Sequence, residues 1–342
     1  MEKLVYNFKE EIVPFYFNTD FLELEKVFPG ESIVYLIDEN LKELYQSKFE
    51  NRTTIVLPAG EQFKQQATVD HVIMQLIQME AGRDTILAGV GGGVITDMAG
   101  YVASVYMRGI RCCLVPSTIL SMVDACIGGK NGVDVDNYKN MVGTIRQPAL
   151  IVYDYALLAT LPEQEWISGF AEIIKHACIR DALMFFELEQ TSLIDIRSSA
   201  SETAKLVRKN VDIKYSVVAA DPLEKGERRL LNFGHTIGHA IENMYSLPHG
   251  HAVSAGMAAA ARISCRLTDF PAAELERLLH LMRAYQLPCD FEFDVSRIWQ
   301  TLLRDKKRSG SEMNFILLNK IGEGVVRSIP LVELECILKE LF

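Results

Sequence analysis

The five residues Gly89-Val90-Gly91-Gly92-Gly93 follow the short apolar run TILA (85–88). They precede VITDMAGYVASVY, which has helical periodicity. A glycine turn between a strand and a helix lets backbone N–H groups approach a phosphate-bearing cofactor at the helix N-terminus. Position 94 is Val, so the G-x-G-x-x-G spacing is not met, and the cluster alone fits a tight strand–helix turn equally well. Its surroundings constrain the fold further. Ser32–Ile37, Thr53–Leu57, Arg111–Val115 and Leu150–Tyr153 are short apolar runs ended by turn residues, and helical periodicity fills gaps such as Gln66–Gln78 and Ile95–Tyr106. That alternation predicts a mostly parallel sheet covered by helices, a Rossmann-like α/β unit.

Leu161-Pro162 closes the alternating region, and long helical stretches follow; FILLN (315–319) is the one run there that could be extended. With 342 residues the chain fits two domains. The expectation is an α/β domain over 1–160 and an all-α domain over 161–342. The formal net charge of -10 disfavours nucleic acid or an anionic membrane as the main partner, so an anionic substrate needs a local basic cluster. The first residues, MEKLVYNFKEEIVPF, carry charges inside their apolar stretch and do not read as a targeting signal. The apolar run at 252–261 is too short to cross a bilayer. Seven cysteines are scattered with no C-x-x-C pair, as expected of reduced thiols in a cytoplasmic protein.

Several polar groups stand where a fold alone does not need them. Asp38 ends SIVYLI, where a carboxylate can accept from ribose hydroxyls or simply cap a helix. The stretch 116–140 offers Ser117 and Thr118 at a strand end, Asp124 in an apolar run, Lys130 after a Gly-Gly pair, and Lys139-Asn140; the cations and the amide suit an anion. Asp124 between apolar neighbours is costly to bury without a partner. Glu172 and His176 are i, i+4 on one helix, with Lys175 between them; His235, His239, His249 and His251 fall within 17 residues. A carboxylate beside imidazoles suits a zinc-type cation, although this chemistry does not choose among the five histidines. Arg228, Asn232, His235 and His239 fall at spacings of four, three and four, which reads as one polar stripe of a helix.

GGGVITDMAG, YMRGI, PSTILSMVDACIGGK, KNMVGT, GFAEIIKH, RRLLNFGHTIGHAIE, HGHAVSAGM and DKK, in this order, resemble 3-dehydroquinate synthase, a sugar-phosphate cyclase within the iron-type alcohol dehydrogenase fold group. The resemblance spans roughly residues 30–320. It implies Glu172, His235 and His249 as ligands of zinc or cobalt. It also implies NAD contacts from Asp38, Glu61, Lys64, Gly92, Gly93, Asp97, Ser117 and Thr118. Lys130, Asp124, Lys175, Asn232 and His239 are implied around the reacting groups, with Arg108, Lys139, Asn140, Lys214, Arg228 and Lys306 or Lys307 on the substrate's phosphate and carboxylate. The implied activity is a carbon–oxygen lyase of the shikimate pathway, feeding aromatic amino acid biosynthesis, in a homodimer. Asp134 stands where the family more often has Asn, Tyr138 where it often has Gly, and His251 where Glu is common. Two other enzymes fit in part: a cyclase for another sugar phosphate, which has no use for a carboxylate clamp, and a metal-dependent alcohol dehydrogenase, which would need His176 on the metal. The expectation common to all three is that the metal cage and the glycine turn act on one substrate.

Overall fold

The computed structural model describes residues 2–9, 11–136, 138–303 and 308–342. The chain forms two compact units, Met1–Trp166 with Ala204–Ala219, and Ile167–Thr203 with Ala220–Phe342. The boundary expected near residue 160 assigned everything after it to the helical half. Residues 204–219 instead pack with the first unit. There Asp212 accepts from the Tyr6 hydroxyl at 2.6 Å, Arg208 pairs with Glu2, and Lys214 pairs with Asp124.

All five runs read as strands are strands, joined by others that the pattern did not show. The first unit contains β1 (Glu2–Phe8), β2 (Glu11–Phe17), β3 (Ile33–Asp38), β4 (Thr54–Leu57), β5 (Ile86–Gly91), β6 (Arg111–Pro116), β7 (Lys130–Val135), β8 (Tyr138–Ile145) and β9 (Leu150–Tyr153). Seven of them form one sheet in the order β1-β2-β9-β6-β5-β3-β4, parallel except for β1. Val34–Ile37 and Ile86–Gly91 are buried runs, as strands covered on both faces require. Pro14, which has no N–H to donate, sits in β2 just before its pairing with β9 starts at Phe15. From β5 the chain moves through β6 towards β9, whereas from β3 it moves to β4. The order therefore reverses between β3 and β5, and the carboxyl ends of these two strands flank a topological switch point, the usual ligand crevice of such sheets.

The second unit is helical, with helices at Glu163–Arg180, His235–Tyr245 and His249–Leu267. It is not all-α. FILLN lies in β11 (Glu312–Lys320), between β10 (Arg308–Ser309) and β12 (Glu323–Pro330), in an antiparallel sheet. Met313, Phe315 and Leu317 of β11 alternate into a core with Ile241, Ala259, Ile263 and Leu338. Among the described residues, no helix is long and apolar enough to cross a membrane.

Candidate active site

The glycine turn divides its labour. A Cβ on Gly89 would fall 2.5 Å from the Ala99 Cβ, and one on Gly91 2.5 Å from the Ile95 Cβ, so these two let the Gly93–Val105 helix press onto β5. Gly92 is that helix's N-cap residue; a Cβ there would meet Thr118 Cγ2 at 3.2 Å. Ser117 donates its backbone N–H to Gly91 O at 2.9 Å, which lays Ser117 and Thr118 across the end of β5. Across the switch point Asp38 ends β3 and caps the next helix, its Oδ1 accepting from Leu41 N at 2.9 Å. The capping reading of Asp38 therefore holds, and burial raises the pKa of its half-buried carboxyl.

Beside the turn lies an ionic network. Lys64, 5 % exposed, donates to Asp97 Oδ2 at 2.6 Å and to Asn140 Oδ1 at 2.8 Å. Burial disfavours charge on Lys64, but the Asp97, Glu61 and Asp134 carboxylates outweigh it and hold the ammonium protonated. Lys139 pairs with Glu61 at 3.4 Å. Lys139 and Asn140 are pushed out of the β7–β8 hairpin by its register. Between the pairs Val133–Val142 and Val135–Tyr138, β7 supplies only Asp134 while β8 supplies Lys139, Asn140 and Met141. Asp124 sits in a single π-helical turn, Ser121–Ala125, a geometry common at functional sites. The Lys214 ammonium donates to the Asp124 carbonyl at 2.6 Å and meets its carboxylate at 2.8 Å. Arg108 and Lys130 are exposed; Met107 and Arg108 both have positive φ, 49° and 64°, so the YMRGI turn is held in a strained shape.

In the second unit three of the metal candidates converge. Glu172, His235 and His249 each offer a ligand atom, all within 4.8 Å of one another. His235 Nε2 is 3.6 Å and His249 Nε2 3.5 Å from Glu172 Oε1. Zinc bonds of about 2.0–2.2 Å in a tetrahedron put neighbouring ligand atoms about 3.4 Å apart, so the trio fits such an ion. Outer contacts orient each of the three side chains. Lys175 pairs with Oε2 of Glu172, leaving Oε1 for the imidazoles. Phe233 O lies 3.1 Å from His235 Nδ1, and Glu242 Oε1 3.4 Å from His249 Nδ1, the usual way of turning Nε2 towards a metal. Burial drives the pKa of His235 down to about 3. Burial also opposes charge on His249, but its bonds to Glu172 and Glu242 lift it to about 9. His176, fully buried one turn beyond Glu172, does not join His235 and His249 in that group.

The single polar stripe expected from Arg228 to His239 is not formed. Arg228 and Asn232 lie on a short 3₁₀ helix, Glu227–Asn232, and Gly234 at φ 79° breaks the chain before the helix that starts at His235. Glycine is required there because that backbone region disfavours a Cβ. Arg228 is 2 % exposed and donates to Pro222 O at 2.7 Å; Asn232 donates its amide to Glu224 Oε1. His239 stands one turn after His235, ring centroids 5.2 Å apart. Lys306 and Lys307 lie outside the described residues. Two carboxylates went unread: Glu242, buried three residues after His239, and Glu224, at φ 57°. A carboxylate on the inner face of HTIGHAIE was the available signal for the first; nothing in the sequence marks the second.

Two models of the 3-dehydroquinate synthase family match adjoining stretches of the chain, the N-terminal model at residues 54–168 and the C-terminal model at 169–308. Among solved structures, 2-epi-5-epi-valiolone synthase from Streptomyces hygroscopicus subsp. jinggangensis 5008, with NAD+ and Zn2+ bound, superposes with a TM-score of 0.86 at 26% identity, covering 100% of this chain and 98% of that one. 2-deoxy-scyllo-inosose synthase complexed with carbaglucose-6-phosphate, NAD+ and Co2+ has a TM-score of 0.86 at 24% identity, covering 99% of this chain and 100% of that one. An iron-containing alcohol dehydrogenase from Corynebacterium glutamicum shares the fold at a TM-score of 0.63 and 16% identity, covering 95% and 93%. With both halves of one family's pattern matched in register, the chain belongs to the 3-dehydroquinate synthase family.

Proposed function

We propose that this protein is itself a 3-dehydroquinate synthase, converting 3-deoxy-D-arabino-heptulosonate 7-phosphate into 3-dehydroquinate and phosphate. One observation carries the choice over cyclases for other sugar phosphates: the chain keeps two buried cations suited to a substrate carboxylate, Lys214 at 7 % and Arg228 at 2 % exposure. Each cation already has a partner, Lys214 at Asp124 and Arg228 at Pro222 O, and a substrate carboxylate would take further charge-assisted bonds from them that a substrate without one does not use.

NAD, held by the glycine turn with Asp38, Lys64 and Asp97, would supply a reversible two-electron acceptor, and a zinc-type ion on Glu172, His235 and His249 would ease ionisation of a substrate alcohol. The side chains do the rest. Lys130, Lys139, Asn140 and Lys175 hold the substrate phosphate, with Arg108 reaching a phosphate as well. Asn232 orients ring hydroxyls, and His239 relays a proton at its imidazole. The departing phosphate carries away the proton lost from the neighbouring carbon, so no separate base is needed. Asp124 steadies Lys214 beside the reacting groups. Much of the rate comes from such orientation and fixed charge.

The test is direct. Supplied with the heptulosonate phosphate, catalytic NAD and zinc, the enzyme is expected to release one inorganic phosphate per carbocycle formed, with no growth in NADH absorbance. Accumulating NADH would favour a dehydrogenase. Arg228→Ala is expected to raise KM by about 100-fold, the cost of removing one partner of a buried charge interaction, while zinc content stays unchanged. An unaltered KM would point to a sister cyclase.

We also propose that two copies associate. Among the described residues β8 pairs on one edge, with β7, and exposes Tyr138, Met141, Val142 and Ile145. An apolar strand edge left in water invites pairing. Light scattering is expected to give twice the chain mass, and Met141→Glu to halve it; a monomeric parent protein would end this reading.

A further inference from the structure

We propose that Asp134 is a positioning residue that ties the hairpin bearing Lys139 and Asn140 to the nucleotide pocket, so that cofactor occupancy is felt at the hairpin. This rests on the reading that Lys64 and Asp97 serve the nucleotide. Asp134 stands alone on β7 opposite three residues of β8. It is fastened on both sides. Its backbone N–H donates to Lys64 O at 2.8 Å, and Gln65 bridges to it in parallel. Its carboxylate Oδ1 accepts from the backbone N–H of Asn140 at 2.7 Å. Asn140 has φ 52°, a left-handed conformation inside a strand that persists only when its surroundings impose it. The side chain of Asn140 then accepts from Lys64, whose remaining bond runs to Asp97 on the glycine-turn helix. A lysine ammonium has three N–H donors. Two go to Asp97 and Asn140, so a nucleotide oxygen drawing on the third pulls on the same nitrogen that holds the hairpin. Lys64 and Asp134 thus close a ring through both main chain and side chain, and moving one edge moves the other.

The role needs an acceptor oxygen at position 134 rather than a negative charge. Asp134→Asn keeps the acceptor; Asp134→Ala removes it. Hydrogen exchange read by mass spectrometry on peptides covering 61–66, 93–97 and 138–145, with and without saturating NAD, separates the possibilities. In the unaltered protein, NAD is expected to slow exchange at all three segments, the hairpin by about fivefold or more. Asp134→Asn is expected to match it. In Asp134→Ala, NAD still protects 61–66 and 93–97, and its Kd stays within about threefold, but the hairpin exchanges fast and no longer responds. A purely structural role for Asp134 would speed hairpin exchange while leaving its response to NAD intact, and that result overturns the proposal. So does a hairpin that ignores NAD in the unaltered protein, or an Asn variant as impaired as the Ala variant. Absence of any NAD response at 61–66 and 93–97 would overturn the nucleotide reading together with this one.

Discussion

His235→Ala is expected to yield folded protein that carries no stoichiometric zinc and shows no turnover above background. The trio offers three ligand atoms, and Glu172 Oε1 is shared by both short approaches, 3.6 Å to His235 and 3.5 Å to His249. Removing one imidazole leaves two protein ligands, fewer than the three that catalytic zinc sites use. His235 is almost wholly buried, and burial already keeps it neutral, so the truncation removes no charge pair and the fold should survive. Circular dichroism and metal analysis on the same sample check both halves. Glu242→Gln is the graded companion. It keeps the side-chain shape but weakens the bond that orients His249, and loss of such an outer partner costs about 10–100-fold in metal affinity. Equal zinc content in His235→Ala and the unaltered protein would refute the ligand assignment.

Gly250→Ala should be nearly as damaging, although it removes no functional group. Gly250 lies between His249 and His251 at the start of the His249–Leu267 helix, and its N–H donates to Ser168 Oγ at 3.1 Å. A Cβ there would fall 2.2 Å from Ser168 O and 2.5 Å from Ser168 Cα. Both are backbone atoms of the helix that carries Glu172 four residues later. The helices must separate by about 1 Å to admit the methyl, and overpacking of that kind costs about 1–3 kcal/mol. The same shift draws His249 away from Glu172, and a misplacement of about 1 Å in a catalytic constellation costs about 100-fold in rate. Gly256→Ala strains the other contact, since its Cβ would lie 2.0 Å from Gly234 O, just before His235. Denaturant unfolding with a zinc titration measures the two effects together. A Gly250→Ala protein with unaltered stability and zinc affinity would show that this close approach does not set the site.

The parallel strands were readable because each is a short buried run ended by a turn. Of the four antiparallel pairings among the described residues, only β11 left a trace, the FILLN run. β8 exposes residues on both faces, so no alternation marks it, and β11 places a buried run where the neighbouring periodicity is helical. The metal residues are local enough to nominate: Glu172 and His176 by helical spacing, the later histidines by density. The family resemblance named Glu172, His235 and His249 among them; the contacts that bring them together, the close approach at Gly250 and the pairing of His249 with Glu242, have no spacing signature. The Arg228–His239 stripe misled because helical spacing was carried across Gly234, where the backbone turns left-handed. Residues 204–219 were placed with the helical half because they are helical, yet the side chains of Asp212 and Lys214 belong to the sheet unit's contacts.

Crystals of the protein grown with zinc and measured on both sides of the zinc absorption edge test the account most directly. The predicted result is a single strong anomalous peak about 2.0–2.2 Å from Glu172 Oε1, His235 Nε2 and His249 Nε2. A peak bound through His176 instead, or no peak at the trio while the protein is active, would contradict it.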